Sequence, residues 1–310
     1  MTMKRFLALL LISLLLPFCA QAKEPVRVFR PEETEPFPEG AELLTVWVCP
    51  LMGAQSVVIT LGEHTMLADA GLKDQYAQVK QTLLDAGVDH LEYAFNSHPH
   101  NDHIGGIVPL LQDGFPIDEF ITVFPHNYRS NDVNQISTLQ ALEKAGVPVT
   151  DLNTGDTIPF GDAEITVYRN TPVNSSEVLT CNDLSGVLLI RYGECTILLP
   201  ADLDIFGQDR MIKRYDLKAD ILQYPHHGTN RTSYAFLKAV DPEYIFFPHG
   251  SLDTQDAQHH LQMNAYRRYT FATWGTLCLQ TDGTKWIVQQ FIAPDKADYV
   301  RKYLTQNNIQ

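Results

Sequence analysis

The chain has 310 residues, 45% of them hydrophobic and 19% charged, and its 37 Asp and Glu against 23 Lys and Arg give a formal charge of −14. This is the composition of a globular protein with ample material for a packed core. The negative balance excludes a basic surface that grips nucleic acid non-specifically, but not a nucleotide or phosphodiester substrate, because bound metal ions invert the charge inside a site.

In chain order, residues 1–22 have the layout of a secretory signal peptide: Lys4 and Arg5, an apolar run over 6–16, then Ala20-Gln21-Ala22 before the expected cut. The run is short for a membrane span of about 20 residues, and no later stretch offers one. Pro17-Phe18 is a poor match to lipoprotein processing at Cys19. The mature chain is therefore expected outside the cytoplasm, in the periplasm, at the cell surface or secreted. It would carry Cys49, Cys181, Cys195 and Cys278, which either pair, in one of three ways, or are simply buried small apolar residues.

Residues 23–40, rich in Pro and Glu, read as an exposed lead-in, and 41–310 as a single domain. Strands are expected over 43–49, 55–61 and 65–68, the third closed by Asp69-Ala70-Gly71. Helical spacing over 74–86 puts Tyr76, Val79, Leu83 and Leu84 on one face. A strand over 91–95 delivers His98-Pro99-His100-Asn101-Asp102-His103, and 104–111 resumes as a helix. A strand over 120–124, a helix over 133–145 and a hairpin marked by Gly155 and Gly161 into a strand over 164–168 come next. Strands over 184–191 and 195–199 follow, the second ended by Pro200-Ala201-Asp202. A helix over 205–215 leads to a strand over 219–224, which delivers His226-His227-Gly228. A helix over 233–240, a strand over 244–247, a helix over 257–267 and strands over 276–279 and 285–290 complete the chain. This order predicts an α/β protein in which two sheets pack face to face with helices outside both.

Imidazole and carboxylate suit zinc and similar divalent ions. The four ligand-type side chains within residues 98–103 cannot all reach one ion from one tetrahedral face. The economical reading is two adjacent ions, His98 and His100 on one, Asp102 and His103 on the other. Two ions about 3.5–4 Å apart lower the pKa of a water and polarise the group it attacks. A carboxylate such as Asp202 suits a bridge because its two oxygens serve two ions.

His98-x-His100-x-Asp102-His103, the earlier Asp69-Ala70-Gly71, Asp202 after an apolar strand and His226-His227-Gly228 resemble, in kind and order, the metallo-β-lactamase superfamily. Asn182-Asp183-Leu184-Ser185, His226-His227-Gly228-Thr229 and Thr281-Asp282-Gly283 look most like the hydrolase domain of the DNA-uptake protein ComEC and its stand-alone secreted relatives. The resemblance covers roughly residues 43–290. It implies a four-layer αββα sandwich of two mixed sheets and two divalent ions, zinc with manganese as the alternative. His98 and His100 would hold the first ion, Asp102 and His103 the second, and Asp202 both. His227 would supply the last ligand, leaving His226 to touch substrate; which of the pair binds metal is open. Asp69 would steady the histidine loop from behind. Asp102 does metal work and, with Asp202 and His226, is a candidate for the chemistry.

Many superfamily members add a third histidine to the first ion just before the strand that leads to the bridging Asp. Leu179-Thr180-Cys181-Asn182-Asp183 has none, so Asn182, Asp183, Cys181 or water fills the gap, or a single ion suffices. Thr229, Arg231, Thr232 and Ser233 are candidates to contact a phosphate, the alternative being that Thr232 or Ser233 merely caps the next helix. Arg129 either reaches over the site or is a solvated charge. His64, His90, His126 and His249 read as structural, and His259-His260 as solvent-facing.

The expected function is a secreted hydrolase that uses metal-activated water on a phosphodiester or other phosphate ester, with small-molecule phosphoesters as the partners. The alternatives are a hydrolase of β-lactam or lactone carbonyls and a non-catalytic metal-binding member of the fold.

Overall fold

A computed structural model describes residues 27–28, 35–124, 132–172, 177–248, 269–292 and 294–307. The expected signal peptide, most of the lead-in, Arg129, His126, His249, His259-His260 and the helix over 257–267 lie outside the described residues.

β1 (Arg27–Val28) is a two-residue edge, followed by the antiparallel run β2 (Leu44–Val48), β3 (Ser56–Leu61) and β4 (His64–Ala70). A 3₁₀ turn at Lys73–Gln75 leads into α1 (Tyr76–Asp85), and then come β5 (Leu91–Asn96), α2 (Asn101–Ile104), α3 (Ile107–Gln112) and β6 (Ile117–Thr122). Next are α4 (Val133–Ala145), β7 (Val149–Asp151), β8 (Thr157–Phe160), β9 (Ala163–Tyr168), β10 (Val187–Tyr192) and β11 (Cys195–Leu199). The remainder is α5 (Ile205–Met211), β12 (Ile221–Gln223), α6 (Tyr234–Val240), β13 (Tyr244–Phe247), β14 (Tyr269–Phe271), β15 (Gly275–Thr281), β16 (Trp286–Ile292) and α7 (Ala297–Asn307).

The strands form a nine-stranded sheet, β1-β16-β15-β2-β3-β4-β5-β6-β7, and a seven-stranded sheet, β14-β13-β12-β11-β10-β9-β8. Alternation along the strands builds the layers. In β3, Val57, Ile59 and Leu61 enter the core between the sheets while Val58 joins the core under the helices. In β11, Cys195, Ile197 and Leu199 face the other sheet while Leu198 faces Phe236, Leu237 and Val240 of α6. With both faces covered, β11 is buried throughout and β3 everywhere but Thr60, and the architecture is the expected αββα sandwich. Among the described residues no helix is long and apolar enough to cross a membrane.

Among the described residues no disulfide joins Cys49, Cys181, Cys195 and Cys278; Cys49, Cys195 and Cys278 are buried, and burial pushes the Cys49 thiol up to about 11 and the Cys278 thiol up to about 12. They are packing residues.

Several elements differ from the sequence reading. On α1, Val79, Thr82 and Leu83 are buried but Leu84 is 54% exposed, one helical step too far round. The strand expected at 120–124 begins at Ile117, drawn back by parallel pairing with β5, and Thr122 Oγ1 turns it by accepting from the Phe124 amide. The strand expected from 184 starts at Val187, because the Asp183 carboxylate accepts from Thr180 N and Oγ1 and closes a 3₁₀ turn over Asn182–Leu184. The helix expected over 205–215 ends at Met211.

The helix expected over 104–111 is broken at Gly105-Gly106, where the chain presses against the end of β4. Gly106 N donates to Gly71 O, and a Cβ on Gly106 would lie 2.0 Å from Ala70 O. Neither backbone can retreat without moving the metal-ligand loop. Gly106→Ala is expected to lose about 3 kcal/mol, the upper end for overpacking, read from the urea midpoint.

Candidate metal centre

The ligand-type side chains all leave the carboxyl ends of strands. Asp69 ends β4, the loop after β5 carries His98, His100, Asp102 and His103, Asp202 follows β11, and His226 and His227 follow β12. Because β4 and β5 run parallel, as do β11 and β12, these ends meet along one edge of the sandwich. Five described non-glycine residues have left-handed φ, and four of them are here: Asp69 (57°), Ala201 (49°), His226 (51°) and His227 (57°). Strain concentrated in this way belongs to sites whose side chains must be aimed.

Asp69 is buried and organises the loop from behind. Its carboxylate accepts from Ser97 N (2.8 Å), Ser97 Oγ (2.8 Å), Asn96 Nδ2 (3.2 Å) and Gln55 Nε2 (3.2 Å), and lies 2.7 Å from His103 Nδ1. His103 therefore gives its Nδ1 proton to Asp69 and turns Nε2 to the interior.

There His103 Nε2 lies 3.1 Å from Asp202 Oδ1, 3.2 Å from His227 Nε2 and 3.7 Å from Asp102 Oδ2. His227 Nε2 is 3.1 Å from Asp102 Oδ2 and 3.2 Å from Asp202 Oδ1. Four donors bonded at ~2.0–2.1 Å to one tetrahedral zinc stand about 3.3–3.4 Å apart. These separations are the edges of such a tetrahedron. Asp202 Oδ1 is buried and receives no hydrogen bond of acceptable geometry, as expected of an atom aimed at a common centre rather than at a partner.

The other carboxylate oxygen of Asp202 faces a second group. Its Oδ2 is 3.9 Å from His98 Nε2, which is 3.0 Å from His100 Nδ1, and His98, His100 and Asp202 together form a second set of metal-type donors. Asp202 thus stands between the two sets.

The electrostatics ask for cations. Burial, reinforced by the His103 charge, pushes His98 well below the ordinary imidazole range, into the neutral ligand form. Burial raises the Asp102 carboxyl, but the His227 hydrogen bond and the His103 charge outweigh it and bring it down to about 2. Burial likewise opposes ionisation of Asp202, yet His103 and His227 hold it well below the usual range. Burial works against protonation of His103 and His227 too, but Asp202 with Asp69, and Asp202 with Asp102, raise them. A metal ion held by His103 and His227 would compete with protons for the same ring nitrogens. Zinc affinity is expected to fall as pH falls, with proton release seen calorimetrically in buffers of different ionisation enthalpy.

Of the three residues at the vacant third-histidine position, Asp183 is committed elsewhere, its two oxygens held by Thr180 N and Oγ1 and by Gly207 N. Cys181 packs against Phe124, Leu179 and Leu184. Asn182 alone touches the site, its Nδ2 3.3 Å from His226 Nδ1. His226 sits outside both donor sets, its Nε2 3.6 Å from Asp202 Oδ2. Thr229 Oγ1 donates to His226 O, and Ser233 Oγ donates to Asp209 instead of capping α6. His64 pairs with Glu92 and His90 with Asp118, away from the centre.

Sequence reasoning missed Asp204, Asn230, Gln55 and Gln223. Asp204 Oδ1 lies 3.1 Å from His226 Nδ1. Gln223 Nε2 donates to Gln55 Oε1 across the two sheets, and Gln55 Nε2 donates to Asp69. An amide inside the apolar strand expected over 219–224 is the signal that pointed to Gln223: a buried polar side chain in such a run needs a partner. Gln223→Leu frees the Gln55 amide and loosens Asp69. Zinc affinity is expected to drop about 10–100-fold in a competitive chelator titration.

A layered αββα sandwich presenting two His/Asp donor sets at the strand ends defines the class of metal-dependent, hydrolase-type folds. The model of the Metallo-beta-lactamase superfamily matches residues 50–249, and the chain belongs to that superfamily. The chain is similar to the metallo-beta-lactamase fold protein YhfI from Bacillus subtilis (16% identity, covering 74% of this chain and 96% of that one, TM-score 0.49). It is also similar to a Cronobacter sakazakii metallo-beta-lactamase with a HARLDQ motif (17%, 57% and 73%, TM-score 0.40). A third similar structure is the CmlA beta-hydroxylase E377D mutant (14%, 76% and 53%, TM-score 0.47). No curated protein matches the sequence.

Proposed function

We propose that this chain is an exported, metal-dependent hydrolase of phosphate esters, closest in kind to the ComEC-type hydrolases. The observation that carries the reading is Asp202, whose two carboxylate oxygens face two separate donor sets. His98, His100 and Asp202 would hold one divalent ion, and Asp102, His103, Asp202 and His227 the other, zinc being favoured by the imidazole-rich donors and manganese the alternative. Ions bound there supply Lewis acidity and a water of lowered pKa.

The chain's own residues do the rest. Asp69 and Ser97 fix the loop that carries four of the donors. Asp102, ionised and partly exposed, stands at the mouth of its set. His226, outside both sets and 22% exposed, would touch substrate. Among the described residues the first set has three protein donors of the metal type, which would leave positions for substrate oxygens and suits the tetrahedral, multiply charged phosphoryl group. The signal-like layout of residues 1–22 supports the export reading, and no nucleic-acid-gripping surface is expected at a charge of −14.

The purified, mature chain loaded with Zn²⁺ or Mn²⁺ is expected to hydrolyse bis(p-nitrophenyl) phosphate and to leave a chromogenic β-lactam and a lactone intact. Turnover of either carbonyl substrate in place of the diester overturns the phosphoester assignment. Turnover of none with metal bound would make the chain a non-catalytic metal-binding member.

A further inference from the structure

Asp204 is the N-cap residue of α5, and Asp is among the residues best suited to that position, yet its carboxylate makes no capping bond. It is turned instead towards the metal centre's edge, where it lies 3.1 Å from His226 Nδ1 and accepts from Asn230 Nδ2 at 3.3 Å. Asn230 Nδ2 is also 2.7 Å, and Asn182 Nδ2 3.3 Å, from the same ring nitrogen. Two amides and a carboxylate therefore surround one nitrogen of an imidazole that belongs to neither donor set. The backbone under that ring is left-handed at φ 51°, a conformation costly for histidine and held only where surroundings impose it. The opposite ring nitrogen faces the reacting centre, 3.6 Å from Asp202 Oδ2, and the side chain is 22% exposed, so the ring is open to a substrate.

We propose that Asp204 is a positioning residue, which holds His226 in the tautomer with the proton on Nδ1 and so presents Nε2 to the substrate. The carboxylate decides among the three neighbours because it can only accept, so the ring nitrogen facing it carries the proton, whereas an Asn side chain can exchange its nitrogen for its oxygen and follow. A base oriented by a carboxylate on its far nitrogen is a recurrent device for fixing tautomer and direction together. The assignment rests on the hydrolase reading for its kinetic consequences and on the coordinates alone for the tautomer.

The experiment has two arms on the zinc-loaded chain. In long-range ¹H–¹⁵N spectra, with His226 assigned by its loss in His226→Gln, the wild-type ring is expected to show the Nδ1–H pattern. Asp204→Ala is expected to lose it and Asp204→Asn, which keeps an acceptor oxygen, to retain it in part. With bis(p-nitrophenyl) phosphate, Asp204→Ala is expected to lower kcat about 10–100-fold at nearly unchanged KM and unchanged zinc content, with Asp204→Asn between the two. A mere capping role would instead lower the thermal midpoint and leave kcat alone. An Nε2–H tautomer in the wild type, or a ring signature and kcat that ignore Asp204→Ala, would overturn the proposal. If no diester is turned over by the wild type, the hydrolase reading fails and the tautomer arm still decides this one.

Discussion

Asp202→Ala is expected to abolish hydrolysis, by at least about 10³-fold, because it disables both donor sets in one substitution. The scale follows from metal Lewis acidity, which supplies several kcal/mol of transition-state stabilisation, each 1.4 kcal/mol being a factor of ten. Asp202 is nearly fully buried and contributes one oxygen to each set. Its removal takes away the foremost of the carboxylates that raise His103 and His227, while Asp69 stays beside the first and Asp102 beside the second, so the fold is not left with an uncompensated buried charge. A folded protein with a native far-UV spectrum is expected. His100→Ala is the informative companion, since His100 belongs to the set of His98 and Asp202 only. It should also lose turnover but keep one tightly held zinc per chain, where Asp202→Ala keeps neither. Metal analysis after dialysis against zinc separates the two, and turnover in either variant would remove that residue from its role.

Asp69→Ala is expected to have the largest effect on stability, about 4 kcal/mol or more in urea denaturation. Two carboxylate oxygens there serve donors from Gln55, Asn96, Ser97 and His103, all of them buried. Leaving even two such donors without an acceptor costs about 1–3 kcal/mol each, more for those that served a charge. Alanine also tolerates φ 57° less well than Asp, whose short polar side chain visits the left-handed region routinely. Asp69→Asn keeps one acceptor oxygen and the backbone preference, so an intermediate loss is expected. Equal stability of Asp69→Ala and the wild type would mean that the buried hub is not what holds the loop.

Much of this site is visible in the sequence because metal chemistry restricts residue types. His98, His100, Asp102 and His103 crowd the end of a buried strand, where nothing about packing requires them. Asp202 and His227 end apolar strands in the same manner. Periodicity is equally open where each strand alternates between two cores, as in β3 and β11, whose bounds match closely what alternation suggests. What stays hidden is decided by partners distant in the chain. The break at Gly105-Gly106 is set by the Ala70 carbonyl, and the start of β6 by pairing with β5. β7 and β14 are three-residue strands, too short to carry a period of their own, and exist through pairing with β6 and β13. Asp183 reads as a site residue from its neighbours and is instead the lock of a 3₁₀ turn. Asp204, passed over in the sequence, holds the N-cap position of α5 and is turned to His226. The type of a short polar side chain tells that it will find a partner, and only the fold tells which.

The most direct measurement is anomalous diffraction at the zinc edge from crystals of the zinc-loaded chain. Two peaks are predicted, one enclosed by Asp102, His103, Asp202 and His227, the other beside His98, His100 and Asp202, with the Asp202 carboxylate between them. Zinc bound elsewhere, or no peak within bonding distance of Asp202, would contradict the account.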